Sequence, residues 1–573
     1  MAPTSLDGAR WVVAERDRAT EQRLQSELGV TPALAASLVA RGHEDPAAAE
    51  RFLRPELSHL HSPWALPDIR AAVDVLAWAR ETRARVYVHG DYDVDGVTSA
   101  ALFTRFLRKI GVEVAAHVPH RLREGYGIHE SAIEEAREFG AKVFLTCDCG
   151  IGAVEQVKAA REAGMRVVVT DHHQTPDQVP DAHAVVNPQR SSHQYPWKEL
   201  SGVGVALKVA AALAEEIGAP VEKFYRAYLD LAALGTIADL MPLCDENRVI
   251  ASLGLGRLSE TQKPGLRALI AVAGLASEPR ITARHVGFVL GPRINAVGRI
   301  EEPDAALRLL LSDDPQECAS LAQHLDSVNE RRKEEQRAAV DSAIAEVKSR
   351  EDGLGPIVFV ASEEWHAGIV GLIAGRLVER FRRPAFAARI EGGLVKGSAR
   401  SLPGFDVGRT LQALRPLLVS GGGHELAAGF TLEQARMDEF QAALAAAAQS
   451  VYDEGAFAPT VAVEAWLAPD EASPEVGREL AQLEPFGPGN PKPVYAVPGV
   501  RIAGWRRTTN PEHCRLTLDS GGRLVTAMAF GLADAVSELG EGATVDAAFE
   551  FDEDNYNGNS CWRWIVRHIR AGS

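Results

Sequence analysis

Hydrophobic and polar positions follow two rhythms along the chain. Short apolar, β-branched runs at 85–89, 112–119, 142–147, 166–170 and 184–187 read as strands. Between them, 98–110, 130–139 and 153–163 carry apolar residues at helical spacing. Strands alternating with helices of this length predict a parallel sheet with helices on its faces. Residues 203–275 are Ala- and Leu-rich and mostly helical, and 303–350 reads as one long helix with a solvated charge cluster at 330–337. A second αβ segment occupies 355–445, opening on a strand at 357–360. After 460 the pattern changes to strands at 500–505, 514–518, 524–530 and 562–569 separated by Gly, Asn and Asp turns, which predicts a small β-barrel or sandwich.

The division expected is a helical segment at 1–60, an α/β domain at 61–302, a connecting helix at 303–351, a second α/β domain at 352–455 and a β-barrel domain at 456–573. Composition adds exclusions. With 573 residues, 46% hydrophobic and 24% charged, the chain is neither disordered nor fibrous. No apolar run is long enough to span a bilayer, and the start does not read as a secretory signal, so no membrane association is expected. Six scattered cysteines with no CxxC pair fit a reducing cytoplasm. A net charge of −17 argues against indiscriminate coating of nucleic acid, yet leaves room for a local basic groove.

The acids fall where chemistry would place them. Three predicted strands end in His89-Gly90-Asp91-Tyr92-Asp93-Val94-Asp95-Gly96, in Asp148 and in Asp171-His172-His173. In a doubly wound sheet such ends share one edge, where ligands bind. One acid after a strand is most often a turn former or helix cap. Three such ends with two adjacent histidines point instead to divalent cations, since hard ions take carboxylate oxygens and manganese also accepts imidazole. Two ions about 4 Å apart clamp the attacking and leaving oxygens of a phosphoryl transfer. Asp239, in an otherwise apolar stretch, is a fourth candidate, because an unpaired carboxylate there is costly.

These segments, HGDYDVDG, TCDCG, DHH and GTIADLMPL in that order, resemble the successive motifs of the DHH-superfamily phosphoesterases. Within it they are similar to the bacterial single-strand-specific 5′→3′ exonucleases. Further matches lie at PHRLREGYG (119–127), SGVGV (201–205), GPRINAVGR (291–299), WHAGIVG (365–371), GSARS (397–401), GGGHELAAGF (421–430) and LEPFGPGN (483–490). The resemblance implies two Mn²⁺ or Mg²⁺ ions held by His89, Asp93, Asp95, Asp148, His172 and Asp239. It makes Asp148 the bridge and places His173 at the scissile phosphate. It also implies a DHH-associated domain across a cleft, in which Gly422, Gly423 and the pair Ser398 and Arg400 meet phosphate oxygens and His424 stands near the scissile group as a catalytic residue. Arg121, Arg293 and Asn295 face them from the catalytic side. A glycine cluster alone reads as a tight turn; beside these motifs phosphate contact is favoured.

The last region resembles an OB-fold. Trp505, Arg506, Arg507, Phe530, Tyr556 and Trp562-Arg563-Trp564 interleave aromatic and guanidinium groups suited to stacking bases and pairing phosphates, with inward-facing aromatics as the rival reading. Residues 460–573 hold 10 basic and 16 acidic side chains, so any DNA track is a local stripe. The expectation is a metal-dependent 5′→3′ exonuclease releasing 5′-mononucleotides from single-stranded DNA in repair and recombination. A small-substrate phosphoesterase would not need the barrel, and a non-catalytic scaffold would have lost its acids. The resemblance also suggests a helicase and single-strand-binding protein as partners, and a monomer is expected.

Overall fold

The computed structural model describes residues 8–121, 123–191, 194–301, 304–350, 353–453, 457–473, 475–554 and 561–572. Among the described residues it is an α/β protein with two five-stranded sheets, a closed barrel and one two-stranded pairing. The first sheet is wholly parallel. Its spatial order is Val114–His117, Val86–Gly90, Val143–Cys147, Arg166–Thr170, Ala184–Val186. The order reverses between the strand ending at Gly90 and the strand ending at Cys147, which opens a crevice at their carboxyl ends. Both faces are covered, so the strands read as continuous apolar runs. Val86, Val88, Val143 and Leu145 pack under Val94–Lys109, Gly202–Glu216 and Val221–Ala238. Tyr87, Phe144, Val167 and Val169 pack under Glu130–Phe139 and Val154–Glu162.

Two helices differ from the expected spans for local reasons. The helix expected at 98 starts at Val94, because Asp93 caps it by accepting from the Asp95 and Gly96 amides. The long helix expected at 303–350 is two, Asp304–Leu311 and Pro315–Lys348. Asp314 caps the second with proline at its first position, a strong start signal. That helix of 34 residues, roughly 50 Å long, leads from the first sheet to the second.

The second sheet runs Ser420–His424, Ala427–Glu433, Leu394–Arg400, Ala385–Glu391, Val358–Ser362, with only the last pair parallel. The glycine cluster is thus neither a turn nor a loop but an exposed edge strand. In the barrel, Tyr495–Arg507, Cys514–Ser520, Arg523–Ala529, Cys561–Ala571 and Thr544–Asp554 pair in turn, and the last returns to Tyr495–Arg507 to close it.

The N-terminal segment belongs with the barrel. Arg10–Val13 pairs in parallel with Thr460–Val463, and Leu24, Leu34, Leu38 and Phe52 share the barrel's core. Arg248 fastens this unit to the first sheet's helices. It is buried against the Phe52 ring at 3.7 Å and donates to the carbonyls of Phe52, Gln482, Leu483 and Glu484. Among the described residues no helix is long and apolar enough to cross a membrane.

Candidate metal centre

The crevice gathers acids from three separate segments and two imidazoles from a fourth. Asp91, Asp93 and Asp148 offer ligand atoms within 4.8 Å of one another; so do Asp95, His172 and Asp239, and so do Asp148, His172 and His173. Asp148 and His172 each belong to two of these groups. His172 Nε2 stands 3.1 Å from Asp148 Oδ1, 3.7 Å from Asp239 Oδ2 and 3.9 Å from Asp95 Oδ2.

Each side chain is placed by its backbone. Asp91 follows the strand Val86–Gly90 directly, and Asp93 caps the next helix. Asp95 lies in that helix's first turn. Its two oxygens accept the Gly202 and Val203 amides at 2.6 and 2.8 Å, so the carboxylate sits on the positive end of Gly202–Glu216. Asp148 holds a left-handed backbone, φ 63°, a conformation aspartate tolerates better than most residues. Position 202 must be glycine, since a Cβ there would lie 2.5 Å from Asp148 Oδ1. Asp239 caps the C-terminus of Val221–Ala238. Asp171 stays out of the cluster and orients it. It accepts the His172 amide at 2.7 Å, the Ile151 amide at 2.9 Å and His173 Nδ1–H at 2.8 Å. Tyr126 Oη lies 3.1 Å from the same His173 nitrogen.

Burial and mutual repulsion shape the ionisation. Burial first, then Asp95, Asp93, Asp91 and Asp239, pushes Asp148 well above the carboxylate range. Burial and Asp93 raise Asp91, and also raise Asp95, the latter to about 7. Burial with Asp95, Asp93 and Asp91 pushes Asp239 up to about 9. Burial and the neighbouring His173 hold His172 down at about 4, a neutral imidazole with a lone pair to give. His173 goes the other way: burial opposes its charge, but the Asp171 hydrogen bond and carboxylate raise it.

The residues fit divalent cations. Asp148 Oδ1 and Asp91 Oδ1 are buried without a hydrogen-bond partner, which in a folded protein signals an absent ion or water. Clustered carboxylates with neutral imidazole are the donor set of manganese or magnesium.

Asp91 was not among the residues expected to bind metal, although its alternation with Asp93 and Asp95 in DYDVD was the signal. His89, expected as a ligand, stands apart from all three groups: it is fully buried, its Nε2 is 3.0 Å from the Gly127 carbonyl, its Nδ1 has no hydrogen-bond partner, and its ring stacks on His117 and Phe144. Arg293 is corrected. Its guanidinium is spent on Asp326 at 2.9 Å and the Val289 carbonyl at 2.7 Å. Arg299, six residues further along the same helix and so turned about 240° from it, takes the place expected of Arg293. Asn295 is half-buried on that helix.

A basic cluster adjoins the acids. The Arg121 guanidinium lies 4.8 Å over the ring of Tyr92, between Asp91 and Asp93 in sequence. Arg400 donates to Ser398 Oγ at 2.9 Å, and a Cβ on Gly371, at the start of Val370–Phe381, would lie 3.1 Å from both side chains. Burial first, then Arg121, Arg332 and Arg400, brings Arg299 down to about 9; burial and Arg121 lower Arg400. Among the described residues neither Arg299 nor Arg400 has a carboxylate partner. Guanidiniums beside a helix N-terminus are the components of a phosphate site. Gly422, Gly423 and His424 are exposed on their edge strand, and His424 lies outside the metal-binding groups.

In the barrel, Trp505 is half-buried against the core. Arg507 is tied to the Pro511 carbonyl and to Asp534 at 2.8 Å, and Arg506 is exposed. Trp564 is a core residue stacked on Phe549 at 3.9 Å. Phe530 is exposed beside His513. Tyr556 lies outside the described residues.

A parallel sheet carrying such a carboxylate–imidazole centre at its switch point, faced by a phosphate site, defines a metal-dependent phosphoesterase. Comparison with known proteins agrees. The DHH family N-terminal domain matches residues 85–236, the DHHA1 domain 355–451 and the RecJ OB domain 463–568. The single-stranded-DNA-specific exonuclease RecJ of Bacillus subtilis is 36% identical over 552 residues, spanning 96% of this chain and 69% of that protein. The crystal structure of RecJ from Thermus thermophilus with Mn²⁺ superposes with a TM-score of 0.84 at 31% identity, covering 99% of this chain and 80% of that one. The same protein with Mg²⁺ gives 0.78 at 30% identity, covering 99% and 79%. The chain belongs to the RecJ family of DHH phosphoesterases.

The raised carboxyls set a pH dependence. Groups whose pKa in the fold lies above neutrality hold protons at pH 7, and an arriving cation must expel them, so affinity rises with pH until they ionise unaided. With Asp95 at about 7 and Asp239 at about 9, the Mn²⁺ Kd should fall at least about tenfold between about pH 6.5 and 8.5. Calorimetry in buffers of different ionisation enthalpy should register proton release. A pH-independent Kd without proton release would contradict this electrostatic picture.

Proposed function

We propose that this chain is a two-metal exonuclease that removes nucleotides from the 5′ end of single-stranded DNA. The observation that carries the reading is that Asp148 groups with Asp91 and Asp93 on one side and stands 3.1 Å from His172, a member of the Asp95–His172–Asp239 group, on the other, next to guanidiniums that lack carboxylate partners among the described residues. One ion would be held by Asp91, Asp93 and Asp148, the other by Asp95, His172, Asp239 and Asp148. Bound there, divalent cations supply charge stabilisation to the phosphoryl oxygens and acidify a water.

The chain's own residues do the rest. Asp171 fixes His173 so that its imidazolium donates to the scissile phosphate. Arg121, Arg299, Ser398 and Arg400 seat the terminal 5′ phosphate, since guanidinium forks match its geometry. The edge strand Ser420–His424 offers unpaired backbone amides to the next phosphates, with Gly422 and Gly423 allowing close approach and His424 at its end.

Away from the centre the strand's path differs from the one read in the sequence. A groove of about 1040 Å³ begins at Leu240, next to Asp239, and runs past Phe288 to Phe486. It continues into a recess lined by Phe486 and Trp562. Leu240 and Phe288 are 66% and 78% exposed, which is unusual for large apolar side chains unless a ligand covers them. Two of its cations are paired, Arg280 with Glu484 and Lys492 with Asp552, while Arg284 is exposed and has no ion pair among the described residues, so stacking would hold bases here with a single guanidinium free for a phosphate. Of the barrel residues expected to form a track, Trp562 lies on this groove, whereas Trp505, Arg506 and Arg507 do not.

The expected division at 61–302, 303–351, 352–455 and 456–573 serves this reading. So do a monomer in the cytoplasm and work alongside a helicase and single-strand-binding protein in repair and recombination.

Two experiments test it. A 5′-phosphorylated strand should be degraded faster than its 5′-hydroxyl counterpart, and Arg400→Ala should erase most of the difference. A mutant that keeps the full preference would move the pocket elsewhere. Phe288→Ala with Trp562→Ala should weaken binding of long strands at least about tenfold, one stacked base being worth ~1–3 kcal/mol. Very short oligonucleotides should be cleaved nearly as before. Equal losses on both lengths would remove the groove from the DNA path.

A further inference from the structure

The sequence offered His89 as a metal ligand, and the structure places it elsewhere, in a position with a different use. Its Nε2–H donates to the Gly127 carbonyl at 3.0 Å. That bond puts the ring proton on Nε2 and leaves Nδ1 buried without a hydrogen-bond partner, outside the three acid and imidazole groups. The ring is fully buried and clamped by aromatic neighbours, His117 at 5.6 Å and Phe144 at 5.9 Å, both nearly parallel to it. Its own carbonyl is near the thiols of Cys147 and Cys149, at 3.7 and 3.9 Å, on either side of Asp148. His89 is therefore an immobile point of the first sheet.

Gly127 ends the segment 120–127, whose described residues, all but 122, form no helix or strand. That segment meets the site at two other points. Arg121 lies over Tyr92, and Tyr126 Oη reaches His173 Nδ1. At the segment's start, the His120 amide donates to Glu124 and its carbonyl accepts from three following amides, so its first half is self-bonded. Its second half is tied to the first sheet by the His89–Gly127 bond. Gly127 itself has φ 100°, a backbone conformation that lets the carbonyl turn towards the sheet and that other residues rarely adopt.

We propose that His89 is a positioning residue for the 5′ end: through the Gly127 carbonyl it holds segment 120–127 so that Arg121 stays at the phosphate pocket. This rests on the reading of Arg121 as part of that pocket. His89 touches neither metal nor substrate in this account, so its loss acts on end recognition and not on ion binding.

The test uses two substitutions in the full chain. His89→Phe keeps the stacked ring and removes the donor. His89→Gln places an amide N–H near the position of Nε2 and restores a donor. KM and kcat are measured on matched 5′-phosphorylated and 5′-hydroxyl strands, with Mn²⁺ Kd and thermal melting alongside. His89→Phe should raise KM about tenfold on the phosphorylated strand, about 1.4 kcal/mol. It should change the 5′-hydroxyl strand little, leave kcat within about threefold and leave the Mn²⁺ Kd unchanged. His89→Gln should recover most of the preference. Three results would overturn the proposal: a folded His89→Phe that keeps the wild-type preference, a fall in Mn²⁺ affinity with kcat, or equal losses on both strands that His89→Gln does not rescue. A wild type without any 5′-phosphate preference would instead remove the pocket itself, and is read separately from the variants.

Discussion

Like charge held in a small buried space is the constraint on which the rest of this structure depends. Asp91, Asp95 and Asp148 are buried with Asp93 and Asp239 half-buried beside them, and burial first, then mutual repulsion, drives Asp91, Asp95, Asp148 and Asp239 towards their neutral forms. The fold offsets part of the repulsion with fixed dipoles and neutral donors. Asp95 rests on the amides that open Gly202–Glu216, and His172 is kept uncharged. Glycines at 202 and 235 allow two helices to press against Asp148 and Asp95 without a Cβ between them; a Cβ on Gly235 would come within 2.8 Å of Asp95. What remains uncompensated is the charge that divalent cations bring. The acid cluster is therefore unfavourable for the empty fold and favourable for the loaded one.

Much of this was legible in the sequence because strand ends in a parallel sheet share an edge. The runs at 85–89, 142–147 and 166–170 fell within a residue of the strands, and the acids after them met as strand topology requires. Directions within an element were less legible. Arg293 and Arg299 share a helix and a motif, and only packing against Asp326 decides which one turns inward. His89 lies in the strand that ends just before the acids, yet its ring lies against His117 and Phe144. Alternation of faces along a strand holds that answer only once the neighbouring strands are known. Asp91 is legible in the alternation of acids in DYDVD. In the barrel, Trp564 illustrates the rival reading of inward aromatics, while Trp562, two residues earlier, lines a recess.

The three β-units are held in a fixed relation by a few buried contacts. Arg248 binds four carbonyls from the N-terminal segment and the stretch before the barrel, so the groove between barrel and first sheet has rigid walls. The Arg299 guanidinium donates to the Gly368 carbonyl at 3.2 Å and joins the first sheet's helices to the second sheet. A single strand entering along the apolar groove and ending among the guanidiniums would thread both seams, with the acids between them.

The central claim is that Asp148 is shared by two ions. Electron paramagnetic resonance of the Mn²⁺-loaded chain, with the bound metal counted, tests it most directly. Two Mn²⁺ per chain and an exchange-coupled spectrum are predicted. In Asp148→Asn, which keeps the side chain's size and its tolerance of the left-handed backbone, the coupling should vanish in a folded protein. One ion per chain in the wild type, or a coupled pair that survives in Asp148→Asn, would contradict the account.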